Sequence, residues 1–434
     1  MRYFYLIALL FLGFAGYAQQ EFTLNTLDHV FQSAHTNPAF VHRHAVSVTL
    51  ASSYHLNLKN TGFTYNFLTS QINTDESGQR ILDLGQLADN LNLKGNDFMH
   101  VGASVDVFAL SFRAGKNRFS LNVSEHMQAR FNYHDGLLGI LVNGNVPGET
   151  ASVGGYKLNA SHYREVGIGF NRKILEEDKL VVGGRFKGVF GMANVNTVRS
   201  DIDMQTGSEA EMYAITASSD IFVRTAGVDM LENGDVNYLL NMDNRGFGLD
   251  LGATYQYSSA LKFNASVINL GFINWQSGIN SYSSNGEYTF EGIDSDNIFN
   301  GDFSFDQQGL MDSITTIFEF EESQEAYRTS LPTQVYLSAA YRLATNTTAS
   351  AGLYAEFVQG FRRGMVLGIS QQAGRWFQTS LTYAMHARSY NNLGFGLAVG
   401  SGLQFYAVSD NLLAFLQPGN ARMVNFRGGF NFVF

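Results

Sequence analysis

Hydrophobic and polar residues alternate along most of this chain. From Val46 to Leu58 the even positions carry Val46, Val48, Leu50, Ser52, Tyr54, Leu56 and Leu58, with Ser47, Thr49, Ala51, Ser53, His55 and Asn57 between them. A two-residue period puts the two sets on opposite faces of one strand. The pattern returns in Phe247, Leu249, Leu251, Ala253, Tyr255 and Tyr257 against Gly248, Asp250, Gly252, Thr254 and Gln256. After Ser258-Ser259-Ala260 it resumes as Leu261, Phe263, Ala265 and Val267, and two such runs joined by a tight turn predict a hairpin. Further strands are expected over 61–69, 99–114, 117–131, 156–170, 179–194, 331–344, 347–360, 363–372, 375–388, 391–408 and 421–434. In 179–194, Leu180, Val182, Phe186 and Phe190 share one face and Arg185 and Lys187 the other. Mid-strand Arg and Lys are costly against lipid and cheap in a wet lumen, so the apolar face is the outward one.

Many of these runs exceed the roughly 9–11 residues that a tilted strand needs to cross a bilayer, and far exceed the usual 5–6 of soluble strands. The expected fold is therefore all-β, an antiparallel transmembrane β-barrel of about 14 strands (12 to 16) with long extracellular loops, against the alternative of a soluble lectin-like sandwich. Near the carboxy-terminus, Phe426, Phe430, Phe432 and Phe434 share one face, with Arg427, Gly429 and Asn431 on the other. Pairing of this last strand with the first would remove both sheet edges.

Composition narrows the picture. With 434 residues, 44 Gly and 14% aromatics, and a mean hydropathy of −0.08, the chain is too polar for a helical membrane protein but suits strands with one wet face. The absence of Cys removes disulfides, thiolate metal sites and thiol catalysis. A net charge of −10 argues against nucleic acid as a partner. Residues 1–18 read as a signal peptide, with Arg2, an apolar stretch from Phe4 to Phe14, and the small-x-small site Gly16-Tyr17-Ala18. That leaves 19–43 ahead of a barrel over 44–434. Tight turns near Ser258, Thr345 and Gly374, with the polar connection 171–179, are expected at the periplasmic end. The longest excursion, about 276–326, is acidic throughout and lacks Lys and Arg; without calcium-loop spacing it reads as a solvated loop. A second excursion with its own hairpin is expected over 195–224. Ile81, Leu84, Leu87, Ala88 and Leu91 have helical spacing, opposite Asp83 and Asp89, and Trp275 is expected in an interfacial aromatic belt.

Chemistry is sparse. Ser124 and His126 share a strand face, the minimum for a wall-borne lipid hydrolase, but no nucleophile motif accompanies them. His42 and His44, with His35 upstream, lack a defined third metal ligand. Gly394-Phe395-Gly396 lies within a strand and is no phosphate loop. No catalytic, metal or cofactor site is assigned.

Asn37-Pro38-Ala39, just before the first strand, resembles the amino-terminal hatch of FadL-type hydrophobic-compound channels, and is similar to the start of the PorV and PorP/SprF barrels of type IX secretion. Gly400–Tyr406, Ser409–Leu412 and Gly429-Phe430-Asn431-Phe432 look like an uncharacterised outer-membrane barrel family of Bacteroidota type. The aromatic end, Phe430, Phe432 and Phe434, resembles the signal read by the barrel assembly machinery. These resemblances imply a hatch over 19–43, a place in outer-membrane lipid, and a passive role. That role is either a FadL-like channel for small or hydrophobic solutes or an accessory part of a type IX secretion machine, with secretion-system subunits as partners. The barrel hydrolase stands as a third class.

Overall fold

The computed structural model describes residues 21–434 apart from 291–319 and the short loop stretches 75–77, 92, 94–96, 135, 137–141, 143–145, 176–178, 209–213, 233–235, 358–359 and 387–388. The signal-peptide reading and most of the acidic stretch lie outside the described residues.

Fourteen antiparallel strands form the wall. They are β1 (Val46–Asn60), β2 (Asp97–Ala114), β3 (Asn117–Tyr133), β4 (Lys157–Ile174), β5 (Leu180–Thr206), β6 (Asn244–Gln256), β7 (Leu261–Trp275), β8 (Thr333–Ala344), β9 (Thr347–Phe357), β10 (Phe361–Ala373), β11 (Phe377–His386), β12 (Ser389–Val399), β13 (Gly402–Ser409) and β14 (Met423–Val433). Each pairs with its sequence neighbour, and β14 closes on β1 from Ser47 opposite Val433 to Lys59 opposite Met423. Val46 and Phe434 exchange backbone hydrogen bonds at the seam. Closure gives each wall strand a hydrogen-bonded neighbour on both sides, as a sheet in lipid requires.

The alternation predicted from sequence sets the faces. Phe186, Ile168 and Leu367 are exposed outward, while Arg185 and Lys187 are buried inside. Phe426, Phe430, Phe432 and Phe434 point out, and Arg427 and Asn431 point in. Phe112 stacks on Phe119 at 5.4 Å, and Phe170 meets Phe119 at a tilt at 5.3 Å, across three neighbouring strands at the end that holds both β1's start and β14's finish. That end also carries the tight turns at 115–116, 257–260, 345–346, 374–376 and 400–401; the longer connections lie at the other, as short periplasmic turns and long extracellular loops require.

Four expectations change. Residues 61–69 hold no strand: Thr64 caps a short helix, Tyr65–Ser70, by accepting from the Phe67 amide. The expected strand 391–408 is two, β12 and β13, because Gly400 and Gly402, at φ of +121° and +89°, reverse the chain between them. The 276–326 excursion begins as a strand, Ile279–Phe290, paired with Ile215–Ala226. Trp275 lies buried inside the barrel, where its indole N–H donates to Thr329 Oγ1 at 2.9 Å. The cause is Asn269, at φ +59°, an extra residue in β7 that inverts the inward and outward sets beyond it.

The segment 195–224 does form a hairpin. β5 runs 27 residues, pairs with β6 up to Gly191, then continues beyond the wall against Ile215–Ala226. A seven-residue helix, Leu84–Asn90, capped by Asp83, buries Leu87 within the connection from β1 to β2.

Candidate functional site

The lumen is occupied by the chain's own amino-terminal segment. Residues 21–43 run as a one-turn helix, α1 (Phe22–Thr26), a 3-10 turn (Phe31–His35) and the Asn37-Pro38-Ala39 bend. Phe22, Leu24, Leu27, Val30 and Phe31 are almost wholly buried. Phe22 packs edge-on against Tyr354 at 5.6 Å beside Tyr336, and Leu24, Leu27 and Val30 pack with Ala398, Tyr406 and Val408.

Wall glycines make room for it. A Cβ on Gly252 would collide with Asn37 Oδ1, and one on Gly183 with the Pro38 carbonyl. Gly394 and Gly396 play the same part for Thr23 and Leu27, and Gly364 for Phe22. The Asn37 Oδ1 accepts the Ala39 amide at 2.9 Å, an Asx turn that fixes the bend, and Asn171 donates to the Pro38 carbonyl at 3.0 Å. Asn37-Pro38-Ala39 therefore lies against β4, β5 and β6. The Gly394-Phe395-Gly396 run serves as a seat for α1, a role that sequence reasoning missed; small residues on an inward face of a strand were its only signal.

Polar contacts tie the segment to the rest of the wall. Asp410 accepts the amides of Phe22 (3.3 Å) and Thr23 (2.7 Å) at the start of α1. Gln32 and Asn431 exchange two amide hydrogen bonds at 2.9 Å. Glu21 pairs with Arg427, and Asp28 with Lys262. Burial alone would push the Glu21 carboxyl up, but Arg427, His55 and His35 outweigh it and hold it below its ordinary value. Burial likewise opposes Lys262 and His29 at Asp28, whose carboxyl is held low. At Asp410 burial wins over its Thr23 and Asn425 donors, and the carboxyl is raised.

Beneath the segment the wall carries a charged network. Lys187 lies 2.9 Å from Asp250 and 3.1 Å from Glu165, and donates to Asn269 at 2.6 Å. Asp106 accepts from Ser53 (2.7 Å) and Ser124 (2.9 Å) and meets His35 at 3.2 Å. Ser124 thus gives its hydroxyl to Asp106, while His126 stacks on Tyr163 at 5.0 Å. The Ser–His pair suggested by their spacing does not meet as nucleophile and base. His42 is buried against Phe31, its pKa pushed well down by burial and then by Arg118. Among the described residues no group of three His, Asp or Glu side chains is placed to hold a metal ion.

Among the described residues the lumen holds several cavities. One of about 290 Å³ lies at the tight-turn end, by Asp28, Lys262 and Arg43. A second, of about 110 Å³, lies among Glu21, His35, His55, His126 and Arg427. The largest, about 580 Å³, opens at the long-loop end between His100, Arg130, Asn159 and Arg362. The amino-terminal segment lines the first two.

A family model described as a family of unknown function, DUF5723, matches residues 38–410. No curated protein matches the sequence. Among solved structures, the TodX deltaS2S3 mutant monoaromatic hydrocarbon channel is similar at 9% identity and a TM-score of 0.46, covering 92% of this chain and 94% of that one. A Pseudomonas aeruginosa FadL homologue is similar at 11% identity and a TM-score of 0.42, over 93% of this chain and 94% of that one. The translocator domain of the autotransporter NalP from Neisseria meningitidis is similar at 9% identity and a TM-score of 0.34, over 96% and 100%.

Proposed function

We propose a function from one premise, that the chain belongs to the DUF5723 family of unknown function: this member is an outer-membrane channel for small solutes, with residues 21–43 as a hatch closing its periplasmic half. The observation that supports this most is the division of one closed lumen into cavities above and below a segment held by replaceable polar contacts rather than by the wall's own hydrogen bonds. A segment that only filled space would be apolar throughout. This one presents Glu21, Asp28, Gln32 and His35 to wall partners that water can replace.

Hydrophobic cargo would need a greasy path. In the described lumen one apolar cluster gathers around Trp275, Ile273 and Tyr327 and another at Phe22, Tyr336 and Tyr354, where the hatch sits, so a solute that used the second would travel only after the hatch had moved. Liposome uptake of a neutral sugar and of toluene, with intact protein and with a variant lacking 21–43, tests both cargoes. The channel reading expects uptake of at least one, increased severalfold by the deletion; no uptake by either protein would refute it. The second reading, an accessory barrel of a secretion machine, is favoured by the number of contacts fixing the segment. It expects a lumen silent in both proteins and secretion subunits co-purifying from the native membrane.

A further inference from the structure

The largest cavity, at the extracellular end, is rich in hydrogen-bond donors and in positive charge. Three cations converge on Phe98: Arg130 at 3.8 Å from the ring centre, Arg362 at 4.9 Å and Lys59 at 5.8 Å. One carboxylate, Glu356, lies with them, 3.2 Å from Arg362. Arg130 is 93% shielded from solvent (7% exposed) and donates its Nε–H to Asn132 at 3.0 Å. Arg130 borders the cavity. Asn159, on the same wall, holds a buried Nδ2 that has no hydrogen-bond partner among the described residues.

An unpaired donor beside like charges in a sheltered space is costly unless an acceptor joins them. The guanidinium forks of Arg130 and Arg362 match a carboxylate or phosphate, and the amide and hydroxyl groups of Asn159, Ser161 and Asn196 match sugar hydroxyls. A volume of about 580 Å³ admits a mono- or disaccharide. We propose that this cavity binds a small hydroxylated anion, a sugar acid or sugar phosphate, through Arg130 and Arg362. The inference rests on the channel reading and adds to it the solute that the outer mouth selects.

Calorimetric titration of the detergent-solubilised protein with glucuronate, glucose 6-phosphate and glucose tests it. Either anion should bind and glucose should bind at least tenfold more weakly. Arg130→Gln should weaken the anion tenfold or more, and Arg130→Lys should recover part of the loss, with heat-modifiable gel migration showing that both variants are folded. Equal binding of glucose, no binding of either anion, or an unchanged Arg130→Gln protein would overturn the proposal. Uptake of the same three solutes into liposomes separates the two readings. Anion binding without any uptake defeats the channel and spares the site; uptake that ignores charge defeats the site and spares the channel.

Discussion

Gly252 shows how much a single missing Cβ decides. It sits inward on β6 directly beneath Asn37, and a side chain there would displace the bend that turns the amino-terminal segment into the wall. Gly252→Val is expected to overpack this contact by about 1–3 kcal/mol and to expose residues 21–43 to limited proteolysis while the barrel stays folded; equal protection in both proteins would show the seat to be dispensable. The ion pairs at Glu21 and Asp28 set the segment's response to pH. Both carboxyls have folded-state values below their ordinary ones, so the stabilisation is complete above the unfolded value, near pH 4, and is lost as pH falls from there through the depressed value. His42 adds an earlier loss, because burial holds its folded-state value well below the ordinary one and the unfolded imidazole takes up a proton below about pH 6.5. Channel openings counted in planar bilayers should therefore rise between pH 7 and 5 and rise again below about pH 4; a frequency unchanged from pH 7 to pH 3 would show that neither set of groups holds the segment in place.

Elements were legible where alternation was uninterrupted, and illegible where one residue broke it. The expected total of about 14 strands equals the number found, yet two errors cancel within it. Residues 61–69 looked extended but are punctuated by the Thr64 cap, and 391–408 looked continuous but are folded back at Gly400 and Gly402. Glycine at a reversal and glycine beneath a packed segment read alike in sequence, since only the three-dimensional neighbour tells them apart. Trp275 failed for a related reason: the extra residue at Asn269 left no trace in composition but reversed the parity of everything after it. Asn tolerates the left-handed region better than a β-branched residue. Asn269→Val is accordingly expected to cost about 1–3 kcal/mol in urea unfolding from vesicles, and Asn269→Gly less, since it keeps the left-handed conformation and gives up only the hydrogen bond from Lys187. Deleting Asn269 should turn Trp275 toward lipid and make its emission quenchable by brominated acyl chains, leaving Trp376 as the internal reference. The site was harder to read still. Glu165 and Asp250 reach Lys187 from the two strands paired on either side of β5, and Asp106 meets His35 only because the amino-terminal segment folds back into the lumen.

At the scale of the whole molecule, the wall departs from its own rule on β3 and β4. Outward on β3, Glu125 stands between Phe119, Leu121 and Val123 on one side and Met127, Ala129 and Phe131 on the other, where lipid chains are expected. It pairs with outward Arg164 and lies 3.4 Å from His162, which is hydrogen-bonded to Tyr238 at 2.6 Å. Tyr238 belongs to the connection between Ile215–Ala226 and β6; with Met230 of the same connection it packs on Met192 and Ala193 of β5, while Leu239, Leu240 and Met242 are exposed. An ion pair facing hydrocarbon is destabilising by about 2–4 kcal/mol for the Arg alone, so the extramembrane sheet and its return segment act as part of the barrel's exterior. Replacing 228–243 with a Gly-Ser linker should therefore lower unfolding stability in vesicles by roughly that amount. Adding Glu125→Leu, His162→Leu and Arg164→Leu to the linker variant should restore most of it, because the roof is then no longer needed. The same three substitutions in the intact chain should be destabilising, since they strand the Tyr238 hydroxyl. If the linker variant is as stable as the native protein, the return segment is an ornament on the wall, and the charges beneath it must be reached by water.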